Sequence, residues 1–317
     1  MYKKRLQNKV AGSELTFPFC VVAATILWWW PLRSVSLQSL MGLGLCLLTT
    51  YVIMETNAQQ HIIRIRTRMM SCTWLMLAAS LAFMRLWGDP AIAACLLSMS
   101  YLLLFRCYDN RHPQLTIFHA FLTLGAGCFF APAMLFMVIP FFIYTATFLR
   151  SLTQKAFWAG IIGLFVPLWC YGVWSFLTGN LDAFTTRLSH IAQLQRPSLE
   201  AITSMPLAEQ VSAGVIALLS ITSIIHYLRT NYDDKIRVRM MLYIYLSQTL
   251  LLMVLLAAQP AHYHTTMALL AASASPLIAH YISLSRGIGG TIVFVIFLLL
   301  TAGMAALNLW PSLFPFL

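Results

Sequence analysis

The chain has 317 residues, 60% of them hydrophobic and only 9% charged, with a mean hydropathy of +0.79. Soluble domains carry roughly a quarter charged residues, so this composition excludes an ordinary soluble globular domain. The net charge of +11 does not point to nucleic acid, because no basic stretch is long enough to form a binding arm. Excess Lys and Arg is instead what cytoplasmic loops of membrane proteins carry.

The basic N-terminus (Lys3, Lys4, Arg5, Lys9) precedes an apolar run, Leu15 to Leu32. A signal peptide would end in small residues at a cleavage site. Here Trp28, Trp29, Trp30 and Pro31 stand in that place, which predicts an uncleaved first span with an aromatic anchor at its outer end. Further spans are predicted at 38–54, 69–86, 91–106, 115–130, 132–149, 156–177, 210–228, 240–258, 264–283 and 291–309. The stretch 115–149 is too long for one crossing, and Ala131-Pro132 is the natural place for an outer turn.

Charge sets the orientation. With the N-terminus inside, the cytoplasmic loops collect Arg64, Arg66, Arg68, Arg106, Arg111, Arg150, Lys155, Arg229, Lys235, Arg237, Arg239 and Arg286 besides the N-terminal four. That is 16 of the 20 basic residues, leaving Arg33, Arg85, Arg187 and Arg196 outside. Merging 115–149 into one helix would send the Arg229–Arg239 cluster outside, against the positive-inside rule. The expected fold is an all-α polytopic transmembrane helical bundle of about eleven spans. Its N-terminus is cytoplasmic and its C-terminus extracytoplasmic, and residues 1–317 form a single integral membrane domain.

The one sizeable outer loop runs from Thr178 to Glu209. Phe184, Leu188, Ile191 and Leu194 recur in it at helical spacing, with Arg187, Ser189, His190 and Gln193 on other faces. Asn180 or Asp182 suits the helix start, and Pro197 ends it. This predicts an amphipathic helix on the outer membrane surface. Arg187 and His190, three apart, share a helical face. An arginine there can hold a lipid diphosphate while a histidine relays a proton; the plainer reading is contact with lipid headgroups. Arg187 and His190 are therefore catalytic candidates.

None of the nine carboxylates lies mid-span. Glu14, Glu55, Asp109, Asp233 and Asp234 fall in cytoplasmic segments, and Asp89, Asp182, Glu200 and Glu209 outside, which weighs against ion-coupled transport. His119, His226 and His280 sit near cytoplasmic helix ends, where interfacial snorkelling beside aromatic residues is the ordinary role. His280 stands out, one turn after Pro276 and beside the small-residue stretch Ala271 to Ser275. His280, His262 and His264 are the substrate-contact candidates. The last two have no third ligand nearby, so no metal is expected. Six of the seven cysteines lie in apolar stretches and Cys107 in a cytoplasmic loop, a pattern that suggests neither disulfides nor zinc. No phosphate loop, nucleophile elbow or dinucleotide fingerprint is present, so no cofactor is expected.

The stretches Phe118-His-Ala-Phe, Phe130-Ala-Pro through Phe142, and Gly163-Leu-Phe-Val-Pro167 to Phe176-Leu-Thr-Gly-Asn180, with Glu55-Thr-Asn57, resemble an uncharacterised family of multi-pass inner-membrane proteins of Bacteroidetes-type bacteria. The resemblance implies an envelope protein of a Gram-negative inner membrane and brings no activity with it. The architecture is also similar to that of enzymes acting on polyprenyl-linked sugars, such as multi-spanning glycosyltransferases and O-antigen ligases, and that resemblance implies Asp182, Arg187, His190 and Arg196 as the catalytic residues of the outer loop. The first outer loop departs from those enzymes, because Arg33-Ser-Val-Ser offers no acidic residue. Three functions follow as expectations: an envelope-biogenesis step on a lipid-linked, polyprenyl-type substrate at the outer face, a transporter or flippase, or a non-catalytic assembly partner for other membrane proteins.

Overall fold

The structure is a computed structural model, and it describes residues 5–30, 36–192, 204–285 and 287–310. The described residues are helical, without strands. A short helix, α1 (Leu6–Ala11), precedes α2 (Thr16–Trp29), α3 (Leu37–Gln60), α4 (Met69–Ser80), α5 (Asp89–Phe105), α6 (Gln114–Cys128) and α7 (Val138–Thr147). Then come α8 (Gln154–Leu177), α9 (Leu181–Ala192), α10 (Leu207–Thr230), α11 (Ile236–Ala258), α12 (Tyr263–Leu284) and α13 (Ile288–Leu309).

Every apolar segment read from the sequence is occupied by one of these helices. Six of them are long and apolar enough to cross a bilayer: α3, α8, α10, α11, α12 and α13. The others (α2, α4, α5, α6 and α7) are shorter apolar helices. Two departures from the sequence reading have local causes. The segment 69–86 stops being α-helical at Ser80, turns extended at Leu81 and closes with one 3₁₀ turn, Ala82–Arg85. The segment 132–149 likewise opens as a 3₁₀ turn, Pro132–Met137, before α7. Proline at the first position of that turn lacks an N–H to continue a helix from α6.

Helix α12 is the hub. It packs against α4, α5, α10 and α11, and nearly all of its length is buried. Small side chains (Ala268, Ala271, Ala272, Ser273, Ala274, Ser275) let four neighbours approach, which is how helices gain contact where lipid competes for apolar surface. Pro276 inside this helix removes one backbone donor. Ser275 compensates by donating its hydroxyl to the Ala272 carbonyl at 3.1 Å, while Thr73 of α4 donates to the Ser275 carbonyl at 3.0 Å. A second close approach joins α6 to α8. A Cβ at Gly125 would meet the backbone carbonyl of Leu164, and one at Gly163 that of Phe118, so glycine is required at both. The outer side of α8 is bare, with Trp158, Ile162, Phe165 and Trp169 exposed, as suits a helix facing lipid.

Polar contacts gather at the two ends of the bundle. At the α1 end, Gln7 accepts from Thr291 at 2.6 Å, Arg106 donates to Gln59 at 2.8 Å, Arg237 donates to Gln60, and Arg64 donates to Asp233. At the α9 end, Arg85 donates to the Leu27 carbonyl at 2.8 Å, Trp87 N–H to that of Gln38 at 3.0 Å, and Asn308 to Ser212 at 2.8 Å.

Candidate functional sites at the two ends of the bundle

At one end, α8 turns sharply into α9 at Gly179, whose φ of +68° suits glycine. Residues Leu181–Ala192 of this stretch form α9, and the rest of the pattern predicted for 184–194, Gln193 and Leu194, lies outside the described residues. Phe184 is half-buried against Gly172 and Tyr171 of α8, whereas Leu188 is exposed. Asp182, Arg187 and Ser189 are also exposed. Asp182 stands in the first turn, where a carboxylate is favoured by the helix dipole. Its carbonyl accepts from Thr185 at 3.0 Å and from Thr186 at 2.7 Å.

Two shallow grooves flank α9. One, of about 380 Å³, is lined by Phe165, Trp169, Val173, Phe176 and Phe184 among others. The second, of about 270 Å³, is formed by Ala126, Phe129, Phe130, Pro167, Tyr171 and Arg187. Arg187 is the cation on an otherwise apolar and aromatic wall, and among the described residues no side chain pairs with its guanidinium. Asp182 and Arg187, five residues apart, stand on well-separated faces of α9, and no ion pair joins them. His190 falls within α9, with its side chain outside the described residues. Arg196 lies outside them altogether.

Near the same end, the start of α12 carries His262 and His264. His264 contacts the Glu209 carboxylate through Nε2 at 3.2 Å, and its ring lies against Phe83 at 4.7 Å between centroids. Tyr263 donates to the Glu209 carbonyl at 2.9 Å. This joins α12 to α10, with the His264 side chain 54% exposed. His262 occupies the 3₁₀ turn Pro260–His262 before the helix. Among the described residues, no three His, Cys, Asp or Glu side chains gather as a metal site would need.

The opposite end adds a contact the sequence reading did not contain. Asp234, read as a charge in the connection between two spans, and His280, read as lying near a helix end, form a pair at 2.9 Å (Oδ2 to Nε2), each side chain only 1% exposed. The cause is local. A 3₁₀ turn, Asn231–Asp233, follows α10, and Asp234 then takes an extended backbone. The backbone leaves 3₁₀ geometry between the two residues, so their side chains part: Asp233 stays exposed and Asp234 turns into the bundle. Arg64 binds both carboxylates from the connection between α3 and α4. It donates to the Asp233 carbonyl at 2.9 Å and side chain at 3.3 Å, and lies 3.8 Å from Asp234 Oδ1.

The edge of Tyr227 abuts the His280 ring, with centroids 5.5 Å apart, and Tyr227 donates to the Arg239 carbonyl at 3.2 Å. His226 stacks on Tyr281 at 4.2 Å, the aromatic neighbourhood expected for it. His119 is exposed and bonds the Leu115 carbonyl through Nδ1 at 2.8 Å. The one sequence signal for the buried pair was the doublet Asp233-Asp234 in a short connection between two apolar helices. The two acids have different tasks, and composition cannot tell them apart.

The fold is that of an all-helical membrane protein. No protein-family model, curated protein or solved structure matches the chain.

Proposed function

We propose that this is an inner-membrane protein of the bacterial envelope that handles an anionic, lipid-linked substrate of the polyprenyl type at its outer face. The observation that carries the reading is Arg187, whose guanidinium pairs with no side chain among the described residues and stands on the wall of an aromatic groove formed by Phe129, Phe130, Pro167 and Tyr171. An amphiphile with an isoprenoid chain and a phosphate needs that combination: an apolar wall for the chain and a bidentate donor for the phosphate. His190, one turn along the same helix, is the candidate proton relay for a transfer reaction at the phosphate, with Asp182 and Arg196 as further polar contacts.

In this reading all eleven apolar helices cross the membrane, with the N-terminus in the cytoplasm. Two observations support that orientation. The contacts at the α1 end gather Arg64, Arg106 and Arg237, and those at the α9 end gather Arg85 and Arg187. The bonds at each end also join chain segments in the alternation that eleven crossings require.

The test is binding of undecaprenyl phosphate to the purified full-length protein, followed by native mass spectrometry. Arg187→Ala is expected to lose the adduct while the equally exposed Arg229→Ala retains it. Equal retention by both variants would sink the proposal. Impermeant thiol labelling of Asp182→Cys and Arg111→Cys in intact spheroplasts tests the orientation. Labelling at 182 and not at 111 is expected, and the reverse pattern would overturn it.

A further inference from the structure

The helix at the hub is polar in a regular way. Thr266, Ser273 and His280 recur at intervals of seven along α12, all buried, and seven residues bring a helix back to nearly the same face. At the middle of this stripe, side chains from α5, α7, α11 and α12 converge. Tyr101 and Ser273 share a hydrogen bond at 2.9 Å, and Ser247 donates to the Tyr144 hydroxyl at 2.8 Å. The Tyr101 and Tyr245 rings lie 4.8 Å apart. Gln248 is 0% exposed, and Tyr144 is its polar neighbour, at a geometry short of a completed hydrogen bond. Neither the amide nitrogen nor the carbonyl oxygen of Gln248 completes a hydrogen bond among the described residues. Gln248 is about 18 Å along α11 from its start, and Ser273 about 16 Å from the end of α12, at 1.5 Å per residue. The cluster therefore lies near mid-depth.

A carboxamide with both ends unpaired in a buried, low-dielectric setting carries an uncompensated desolvation cost. Native proteins seldom keep such a group without a partner. Gln248 demands an occupant that both donates and accepts. The surrounding phenol and alcohol hydroxyls supply further donors and acceptors and no charge, so the cluster suits an uncharged molecule and disfavours an ion. We propose that Gln248, with Tyr101, Tyr144, Tyr245, Ser247 and Ser273, forms an interior binding site for a small uncharged hydrogen-bonding molecule, either water or a hydroxyl- or amide-bearing solute. This site is independent of the groove beside Arg187 and adds a polar interior to a chain that handles lipid at its rim.

The experiment is X-ray hydroxyl-radical labelling of the full-length protein in proteoliposomes, read by mass spectrometry. Radicals form from bound water at the site itself, so oxidation of Tyr101, Tyr144 or Tyr245 several-fold above that of the buried Phe121 is expected. Gln248→Leu, and independently Ser273→Ala, should lose that excess. Two arms then separate the sources. Quenching of the tyrosine labelling by excess glycerol or acetamide assigns a solute-admitting site, and labelling unchanged by both assigns a water site. Tyrosine labelling no faster than that of Phe121, or an excess retained in a folded Gln248→Leu protein, would overturn the proposal.

Discussion

The two ends of this bundle hold their charges in opposite ways. At the α1 end, inner in the proposed orientation, Asp234 and His280 are buried together, and Arg64 closes the group from the connection between α3 and α4. At the α9 end, outer in the same proposal, Arg187 stands on an open aromatic wall with its donors unpaired among the described residues. A buried charge survives only with a partner in place, so the inner group is committed to holding elements together. An exposed cation costs little to leave free, and its donors remain available to a ligand. A buried charged partner marks the fastening, and an exposed cation without one among the described residues marks the candidate binding site.

This contrast can be broken by mutation, and the largest effect belongs to the inner pair. Asp234→Ala or His280→Ala leaves one polar group stranded, and each is expected to destabilise the protein by about 3–5 kcal/mol. Replacing both by well-packed apolar residues should recover much of that loss. Thermal unfolding of the purified single and double variants measures it, and fully additive losses would show that the two side chains do not act as a pair.

Next comes the α6–α8 seam, which carries the groove. Gly163→Val would press a side chain into the Phe118 carbonyl, and overpacking of this kind costs about 1–3 kcal/mol. If the groove depends on that seam, lipid adduct formation should fall together with the melting temperature.

Arg187 should behave the other way. Its substitution by alanine is expected to leave stability within about 0.5 kcal/mol, as for other surface sites, while weakening polyprenyl-phosphate binding. Arg187→Lys should recover only part of the binding, because a single ammonium cannot match the bidentate fork. A melting temperature that falls as far as in Asp234→Ala would erase the distinction between the two ends.

The smallest effect is expected from Arg64→Ala. Its ion pair with Asp233 has both side chains about a third exposed, and pairs of that kind contribute about 0–1 kcal/mol. Melting curves at low and high salt measure it, and a loss as large as that of Asp234→Ala would place Arg64 inside the buried fastening.

Much of the architecture was legible because lipid and water impose simple rules on a chain. Apolar runs separated by charged loops marked where helices lie, and Pro132 marked the break after α6. Amphipathic spacing around Phe184 and Arg187 marked α9. The groove beside Arg187 could not be read in this way, since Phe129 and Tyr171 look like any other aromatic residues of apolar helices. The inner pair was hidden for a related reason. Asp234 was counted among loop charges, and only the extended backbone after the 3₁₀ turn rotates it inward. Gln248 was passed over because one uncharged polar residue barely changes the hydropathy of a span.

From its sequence alone this chain is a helical membrane protein, and the orientation proposed for it rests on its basic residues, because hydropathy and charge act residue by residue and need no partner. Which polar groups meet was decided by tertiary structure. Asp234 finds His280 across 46 positions of chain, Arg64 reaches Asp233 across 169, and Gln248 completes no hydrogen bond among the described residues. Pairing depends on helix rotation and neighbour choice, and apolar periodicity in one sequence specifies neither.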